Sequence, residues 1–153
     1  MSQVTRALVL LLVVFPTMAA QAPPAEVAGL ASRANLTRPV VKWCAGEFRQ
    51  GQSGAFAVAL SLSADSGRYL ILDGDATITD LAKYAGGADL SCYSRAEAQA
   101  LSASIVESET VQGRITPRFD TTVVCGFVTN TEAVCWQYSP TERVFVRVGG
   151  WIT

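Results

Sequence analysis

Residues 121–138, TTVVCGFVTNTEAVCWQY, restrict the possible folds more than any other stretch of the sequence. Two runs rich in Val, Phe, Thr, Trp and Tyr flank a polar centre at residues 129–132, which is typical of a β-hairpin. With the turn centred on Asn130, Cys125 lies directly opposite Cys135, at a Cα separation of about 4.5–5.5 Å that permits a disulfide. The stretch therefore predicts both a hairpin register and a Cys125–Cys135 bond.

This register also assigns each side chain of the hairpin to a face, because side chains alternate along a strand. One face carries Val124, Val128, Val134, Trp136 and Tyr138, and the other carries Val123, Cys125, Phe127, Ala133, Cys135 and Gln137. Gly126, opposite Val134, is expected to leave room for Trp136 to lean across the partner strand. A slip of one residue would exchange the two faces and separate the cysteines.

The hairpin pairing leaves Cys44 and Cys92 to form a second disulfide. Four cysteines in an exported chain favour two bridges and an oxidising compartment. Zinc binding is the competing interpretation, but zinc would need further ligands and the chain contains no His. We predict no metal-binding and no cofactor-binding residue.

Residues 1–20 have the pattern of a signal peptide: Arg6 precedes an apolar run at residues 7–15 and small residues follow. An uncleaved membrane anchor is the alternative, which the shortness of the apolar run disfavours. We expect an exported protein, periplasmic or extracellular, without a membrane span in its mature chain. Residues 21–38 are expected to form a loose segment or short helix, and residues 39–153 a single disulfide-stabilised domain.

The charge of the mature chain gives little indication of a partner. Only Arg6 of the 12 basic residues lies in the signal, so 11 positive and 13 negative charges leave a net charge of −2. No basic cluster is visible, and nucleic-acid binding is therefore not expected.

The remaining chain is dominated by strand patterns. Residues 55–62 alternate strictly, with Phe56, Val58, Leu60 and Leu62 expected to face the core and a flat alanine face able to lie under another element. Further strands are predicted near 40–48, 68–73, 90–93, 111–115 and 144–148, while 76–84 fits a strand or a helical turn. Ser94 and Glu97 form a capping-box pattern that predicts a helix to about residue 105, and residues 25–35 suit a shorter one.

The fold class is therefore α+β: a mainly antiparallel sheet of seven to nine short strands, with one clearly signalled helix. A closed barrel is the alternative.

Several kinds of chemistry are disfavoured by the sequence. Without His there is no Ser-His-Asp or Cys-His nucleophile system, and we predict no catalytic residue. The acidic segment 73–80 resembles part of a calcium loop but lacks the anchoring carboxylates and the turn glycine. A hydrolase acting through paired carboxylates stays open, with Glu107 and Glu109, or Asp73, Asp75 and Asp80, as candidates. Trp43 and Trp136, each beside a cysteine, suit either a sugar or peptide site or the core.

The string Ser66-Gly67-Arg68-Tyr69 resembles a loop motif of bacterial periplasmic lysozyme inhibitors, small exported β-rich proteins whose Ser and Tyr region enters the lysozyme cleft. The resemblance covers four residues, and the later Lys-Gly part of that family's pattern is not evident. It implies that Ser66, Arg68 and Tyr69 contact a partner. A turn leading into a strand explains the same residues.

The leading functional hypothesis is a non-catalytic binding or interaction domain for an unknown protein or small ligand. It follows from a compact, disulfide-bonded chain without a recognisable catalytic set. The alternatives are a lysozyme-type inhibitor acting through the 65–69 turn, a carboxylate-dependent hydrolase, and a structural component of the cell envelope.

Overall fold

The computed structural model describes residues 21–101 and 120–152, with Ile152 as backbone only, and these residues form eight strands and two helices. The strands are β1 (Val40–Gly46), β2 (Ala55–Ser63), β3 (Ser66–Leu72), β4 (Ile78–Ala85), β5 (Leu90–Tyr93), β6 (Val123–Phe127), β7 (Glu132–Ser139) and β8 (Val144–Ile152). The helices are α1 (Ala25–Arg33) and α2 (Arg95–Ala100). The prediction of a mainly antiparallel β protein is confirmed.

The strands form two sheets, each an antiparallel meander in chain order: β1 to β4 in the first and β5 to β8 in the second. The described strands do not close into a barrel, so the barrel alternative does not apply to them. Residues 78–85, in the segment that fitted either a strand or a helical turn, form strand β4 because β3 offers a partner along its length.

The main core lies between the sheets and contains four buried aromatic side chains, Phe48, Tyr69, Tyr84 and Trp136. The rings of Tyr69 and Tyr84 stack with centroids 4.7 Å apart, and Trp136 of the second sheet lies 6.1 Å from Tyr69. The alanine face of β2, which consists of Ala55, Ala57 and Ala59, also points into this core. The prediction that a second element covers the alanine face is confirmed, and the small side chains leave room for the rings.

The large side chains of β2 pack on the opposite side of the first sheet. Val58 and Leu60 contact helix α1 through Val27 and Leu30, while Leu62 remains 41% exposed. Both faces of β2 are therefore buried over most of its length. The expectation that the large side chains face a core is confirmed for Val58 and Leu60, which pack under α1. It is wrong for Leu62, which lies beyond the cover of the helix.

The 121–138 hairpin has the predicted register: Cys125 pairs with Cys135 and Val124 pairs with Trp136. The predicted role of Gly126 is wrong. A Cβ at Gly126 would lie 2.8 Å from Cε2 of Tyr69, so the missing side chain makes room for Tyr69 of the first sheet rather than for Trp136. The sequence correctly predicted free space beside Gly126. The packing of the two sheets determines that the Tyr69 ring occupies this space.

The outer face of the second sheet buries Val123, Cys125, Cys135 and Val148 against Ala98 of α2. This helix begins at the predicted capping box: the Glu97 N–H donates to Ser94 Oγ, and the Glu97 carboxylate accepts from the Ser94 N–H at 2.8 Å. The Ser94 hydroxyl also donates to the Glu97 carboxylate at 2.7 Å, and this bond, together with the one from the Ser94 N–H, lowers the pKa of Glu97. The predicted continuation of the helix to residue 105 and the predicted strand at 111–115 lie outside the described residues. None of the described helices is long and apolar enough to cross a membrane.

Candidate functional site

Both predicted disulfides are present, and they differ in position. Cys125–Cys135 lies within the second sheet, where the two cysteines are 2% and 0% exposed. Cys44–Cys92 joins β1 to β5, with its Cα atoms 5.8 Å apart, and therefore links the two sheets at one flank of the sandwich. Neither bond leaves a free thiol, so the cysteines are structural.

The three residues singled out by the resemblance to lysozyme inhibitors do not form a common exposed surface. Ser66 Oγ lies 2.7 Å from Ser63 Oγ, and Arg68 forms an ion pair with Asp80 of the neighbouring strand. Tyr69 is 0% exposed. The expectation that the Tyr69 side chain contacts a partner is therefore corrected, because the second sheet covers it.

The buried hydroxyl of Tyr69 is instead a link between the sheets. Its oxygen lies 2.9 Å from the carbonyl oxygen of Asp89 and 2.8 Å from that of Phe127, and it also accepts a longer bond from the Asp89 N–H. Burial raises the pKa of Tyr69 to about 12. Tyr69 is therefore a neutral hydrogen-bonding group of the core.

The carboxylates of the acidic segment 73–80 interact with separate partners in the structure. Asp73 pairs with Arg49, and Asp80 with Arg68. Asp75 is exposed and accepts from the Thr77 N–H at 2.9 Å, which lowers its pKa. Among the described residues, no group of three or more His, Cys, Asp or Glu side chains is arranged to hold a metal ion. The second predicted carboxylate pair, Glu107 and Glu109, lies outside the described residues.

A cleft of about 780 Å³, called here the β7–β8 cleft, lies in the described part of the chain. The loop after β1, the residues before β6 and the turn between β7 and β8 surround it. Its lining residues are Arg49, Gln50, Gln52, Asp120, Thr121, Gln137, Tyr138, Ser139, Pro140, Thr141, Glu142, Val146 and Val148. Most of these residues are polar or charged, and Pro140, Val146 and Val148 supply the apolar part of the lining.

One side of the cleft is fixed by Arg49. Its guanidinium forms an ion pair with Asp73 and donates to Thr79 Oγ1 at 3.0 Å. The same group lies 4.9 Å from the ring centroid of Tyr138 and 5.3 Å from that of Phe145, within cation–π distance of both. Arg49 therefore joins the first sheet to the second at the flank opposite Cys44–Cys92.

Two polar residues of the cleft are buried. Gln137 is 5% exposed and its Nε2 donates to the carbonyl oxygen of Thr121 at 3.4 Å. Thr121 is 7% exposed, and its hydroxyl has no hydrogen-bond partner within the described parts of the chain. A buried hydroxyl without a hydrogen-bond partner costs free energy of folding.

Only Gln137, among the residues of this cleft, is marked by a pattern in the sequence. Gln137 lies on the same strand face as Cys135 and Ala133, and that face is otherwise apolar. This position indicates a polar side chain that is buried. Arg49, Asp120 and Glu142 carry no such pattern, because three separate segments bring them together. Trp136 belongs to the main core, and Trp43 packs against the cluster under helix α1. Neither tryptophan lines the cleft.

Comparison of the chain with models of known protein families, with curated proteins and with solved structures found no match. Function must therefore be argued from the site itself.

Proposed function

We propose that this chain is an exported, non-catalytic binding domain that takes a small ligand in the β7–β8 cleft. The observation that carries the proposal is the cleft itself. Its volume of about 780 Å³ lies within the range of about 300–1,000 Å³ typical of ligand pockets. Val146 and Val148 supply apolar wall, and Gln137 and Thr121 supply buried polar groups.

The rigidity of the surroundings supports a binding role. Arg49 ties one wall to both sheets, and Gln137 and the buried Val148 lie on paired strands of the second sheet. A pre-formed site loses less conformational entropy on binding than a mobile one. Export is supported by the apolar run at residues 7–15 and by two disulfides, which persist in oxidising compartments.

The test is a titration of the oxidised mature protein with three fragments that share a benzyl framework: benzylammonium, benzyl alcohol and benzoate. We expect at least one fragment to shift the backbone amide NMR signals of Gln137, Val146 and Val148. Thr141→Trp should abolish these shifts, because Thr141 is an exposed residue of the cleft and the indole would occupy it. Thr37→Trp, at an exposed loop position outside the cleft, is the matched control.

The proposal fails if all three fragments leave the cleft signals unchanged. It also fails if the shifts persist in Thr141→Trp, since the fragments would then be bound elsewhere.

A carboxylate-dependent hydrolase is the second candidate, because Asp120 and Glu142 line the same cleft and both are exposed. Two carboxylates beside one bound substrate are the minimum set for glycoside hydrolysis. The protein would then release 4-nitrophenol from a 4-nitrophenyl glycoside, and Asp120→Asn and Glu142→Gln would each remove this activity. Release no faster than in buffer, or release that survives both substitutions, contradicts the candidate.

A further inference from the structure

We infer that Cys44–Cys92 is a redox-sensitive link between the sheets: a dithiol reduces it in the folded protein, while Cys125–Cys135 stays oxidised. Neither pair of cysteines lines the β7–β8 cleft, so the inference goes beyond the proposed function. The two bonds have the same chemistry, but their surroundings differ.

The Cys125–Cys135 bond is closed to reagents in solution. A disulfide is reduced when a thiolate attacks one of its sulfur atoms, so the attacking group must reach the bond. Cys125 is 2% exposed and Cys135 is 0% exposed, and both are buried with Ala98 of α2 and Val148 of β8 on the outer face of the second sheet. A thiolate can reach this bond only when that packing opens, which is a rare event in a folded protein.

The Cys44–Cys92 bond lies at the margin of the sandwich. In the described part of the chain, β1 is an edge strand of the first sheet and β5 is an edge strand of the second. Cys44 on β1 and Cys92 on β5 are each partly exposed. A dithiol can therefore approach this bond while the two sheets stay packed.

Other contacts hold the sheets together after the bond is broken. The Thr122 N–H donates to the Glu47 carbonyl oxygen at 2.9 Å, and the Glu47 N–H donates to Thr122 Oγ1 at 3.0 Å. Glu47 follows β1 of the first sheet, and Thr122 precedes β6 of the second. The hydrogen bonds of the Tyr69 hydroxyl and the contacts of Arg49 join the sheets elsewhere. We therefore expect the reduced protein to stay folded, with two free thiols at one flank.

The reaction consumes one dithiol for each bond. One thiolate of the dithiol attacks one sulfur of Cys44–Cys92, which forms a mixed disulfide and releases the other cysteine as a thiolate. The second thiolate of the reagent attacks the mixed disulfide, releases the remaining cysteine thiolate and closes a cyclic disulfide in the reagent. The two cysteine thiolates take up the protons that the dithiol gave up. The dithiol is thus oxidised, and the cysteine pair is reduced by two electrons.

The experiment treats the oxidised mature protein with dithiothreitol at neutral pH, alkylates portions with iodoacetamide at intervals, and identifies the alkylated cysteines by peptide mass spectrometry. We expect Cys44 and Cys92 to be alkylated about tenfold faster than Cys125 and Cys135, or faster still. The amide NMR spectrum should keep the dispersion of the folded protein while Cys125–Cys135 is still oxidised. The matched control is the same treatment in urea that unfolds the chain, where both bonds should be reduced at similar rates.

Equal rates for the two bonds in the folded protein overturn the inference, because access to both would then depend on opening of the whole molecule. Faster alkylation of Cys125 and Cys135 overturns it as well. So does loss of the folded NMR spectrum when Cys44–Cys92 is reduced. A difference in rate that persists in urea also overturns it, since the selectivity would then not come from the fold. Binding of the fragments at the cleft is a separate measurement, so the proposed function can fail while this inference holds.

Discussion

The two flanks of the sandwich are held together by different kinds of interaction. At one flank, Cys44–Cys92 joins β1 to β5 covalently. At the other, Arg49 joins the sheets through Asp73 and Thr79 on one side and the rings of Tyr138 and Phe145 on the other. A disulfide stabilises a folded protein mainly by restricting the conformations of the unfolded chain. A buried ion pair acts in the folded protein, where removing one partner leaves the other as an uncompensated buried charge.

The two flanks also differ in their relation to the proposed binding cleft. Neither Cys44 nor Cys92 lines the β7–β8 cleft. Arg49 lines the cleft and also joins the two sheets at the opposite flank. We therefore expect changes at the disulfide to alter stability alone, and changes at Arg49 to alter stability and ligand binding together.

The largest expected effect comes from removing the covalent link. Cys44→Ser/Cys92→Ser opens a loop closed by residues 48 apart in sequence, which loop-closure entropy converts to a loss of about 4 kcal/mol in the free energy of unfolding. Urea denaturation of both oxidised proteins measures the difference, and fragment binding at the cleft should be unchanged. A loss of cleft binding in the folded variant would show that the two flanks are not independent.

At the opposite flank, Arg49→Met should lower the free energy of unfolding by about 3 kcal/mol, because it leaves the buried Asp73 carboxylate without its cation. The double variant Arg49→Met/Asp73→Asn removes the stranded charge as well and should recover part of this loss. If the double variant is no more stable than the single one, the ion pair is not what holds this flank.

Packing between the flanks is tested by Gly126→Ala. The added Cβ would lie 2.8 Å from the buried ring of Tyr69, and overpacking of this kind costs about 1–3 kcal/mol. Gly87→Ala is the matched control, since a Cβ there meets nothing within 4 Å. Similar stabilities for the two alanine variants, measured by urea denaturation, would show that the sheets are packed less tightly than the structure indicates.

The smallest effect concerns Tyr69, a neutral link between the sheets. Tyr69→Phe removes its hydrogen bonds and should cost about 1 kcal/mol at neutral pH. Burial raises the pKa of Tyr69 from 10.0 to about 12, so the folded protein retains a proton that the unfolded chain releases. Wild-type stability should therefore be fully present below pH 10 and fall as the pH rises towards 12.

The alkaline decline should be less steep in Tyr69→Phe. The pH profile of Tyr84→Phe is measured for comparison with that of Tyr69→Phe, because burial also raises the pKa of Tyr84. Identical pH profiles for wild type and Tyr69→Phe would contradict the assignment of Tyr69 as a buried, protonated group.

Much of the fold could be predicted from the sequence where the interacting residues are close along the chain. The Cys125–Cys135 pairing follows from a hairpin whose cysteines are 10 residues apart, and the Ser94–Glu97 capping box from a spacing of three residues. The β7–β8 cleft could not be predicted in this way. Its charged residues Arg49, Asp120 and Glu142 come from three segments, and no local pattern reports that they meet.

The sequence alone indicated most of the strands and the hairpin register, because side-chain alternation and short turns are local properties of a chain. The Cys125–Cys135 pairing followed from that register and the Cys44–Cys92 pairing by elimination, whereas strand β4 was decided by its pairing with β3. Only the tertiary structure decided what each face meets. Tyr69 became a core residue rather than a partner contact because the second sheet covers it. Arg49 became a link between sheets because Asp73, Thr79, Tyr138 and Phe145 converge on it. These contacts join distant segments, and their energy depends on burial that exists only once both sheets have packed.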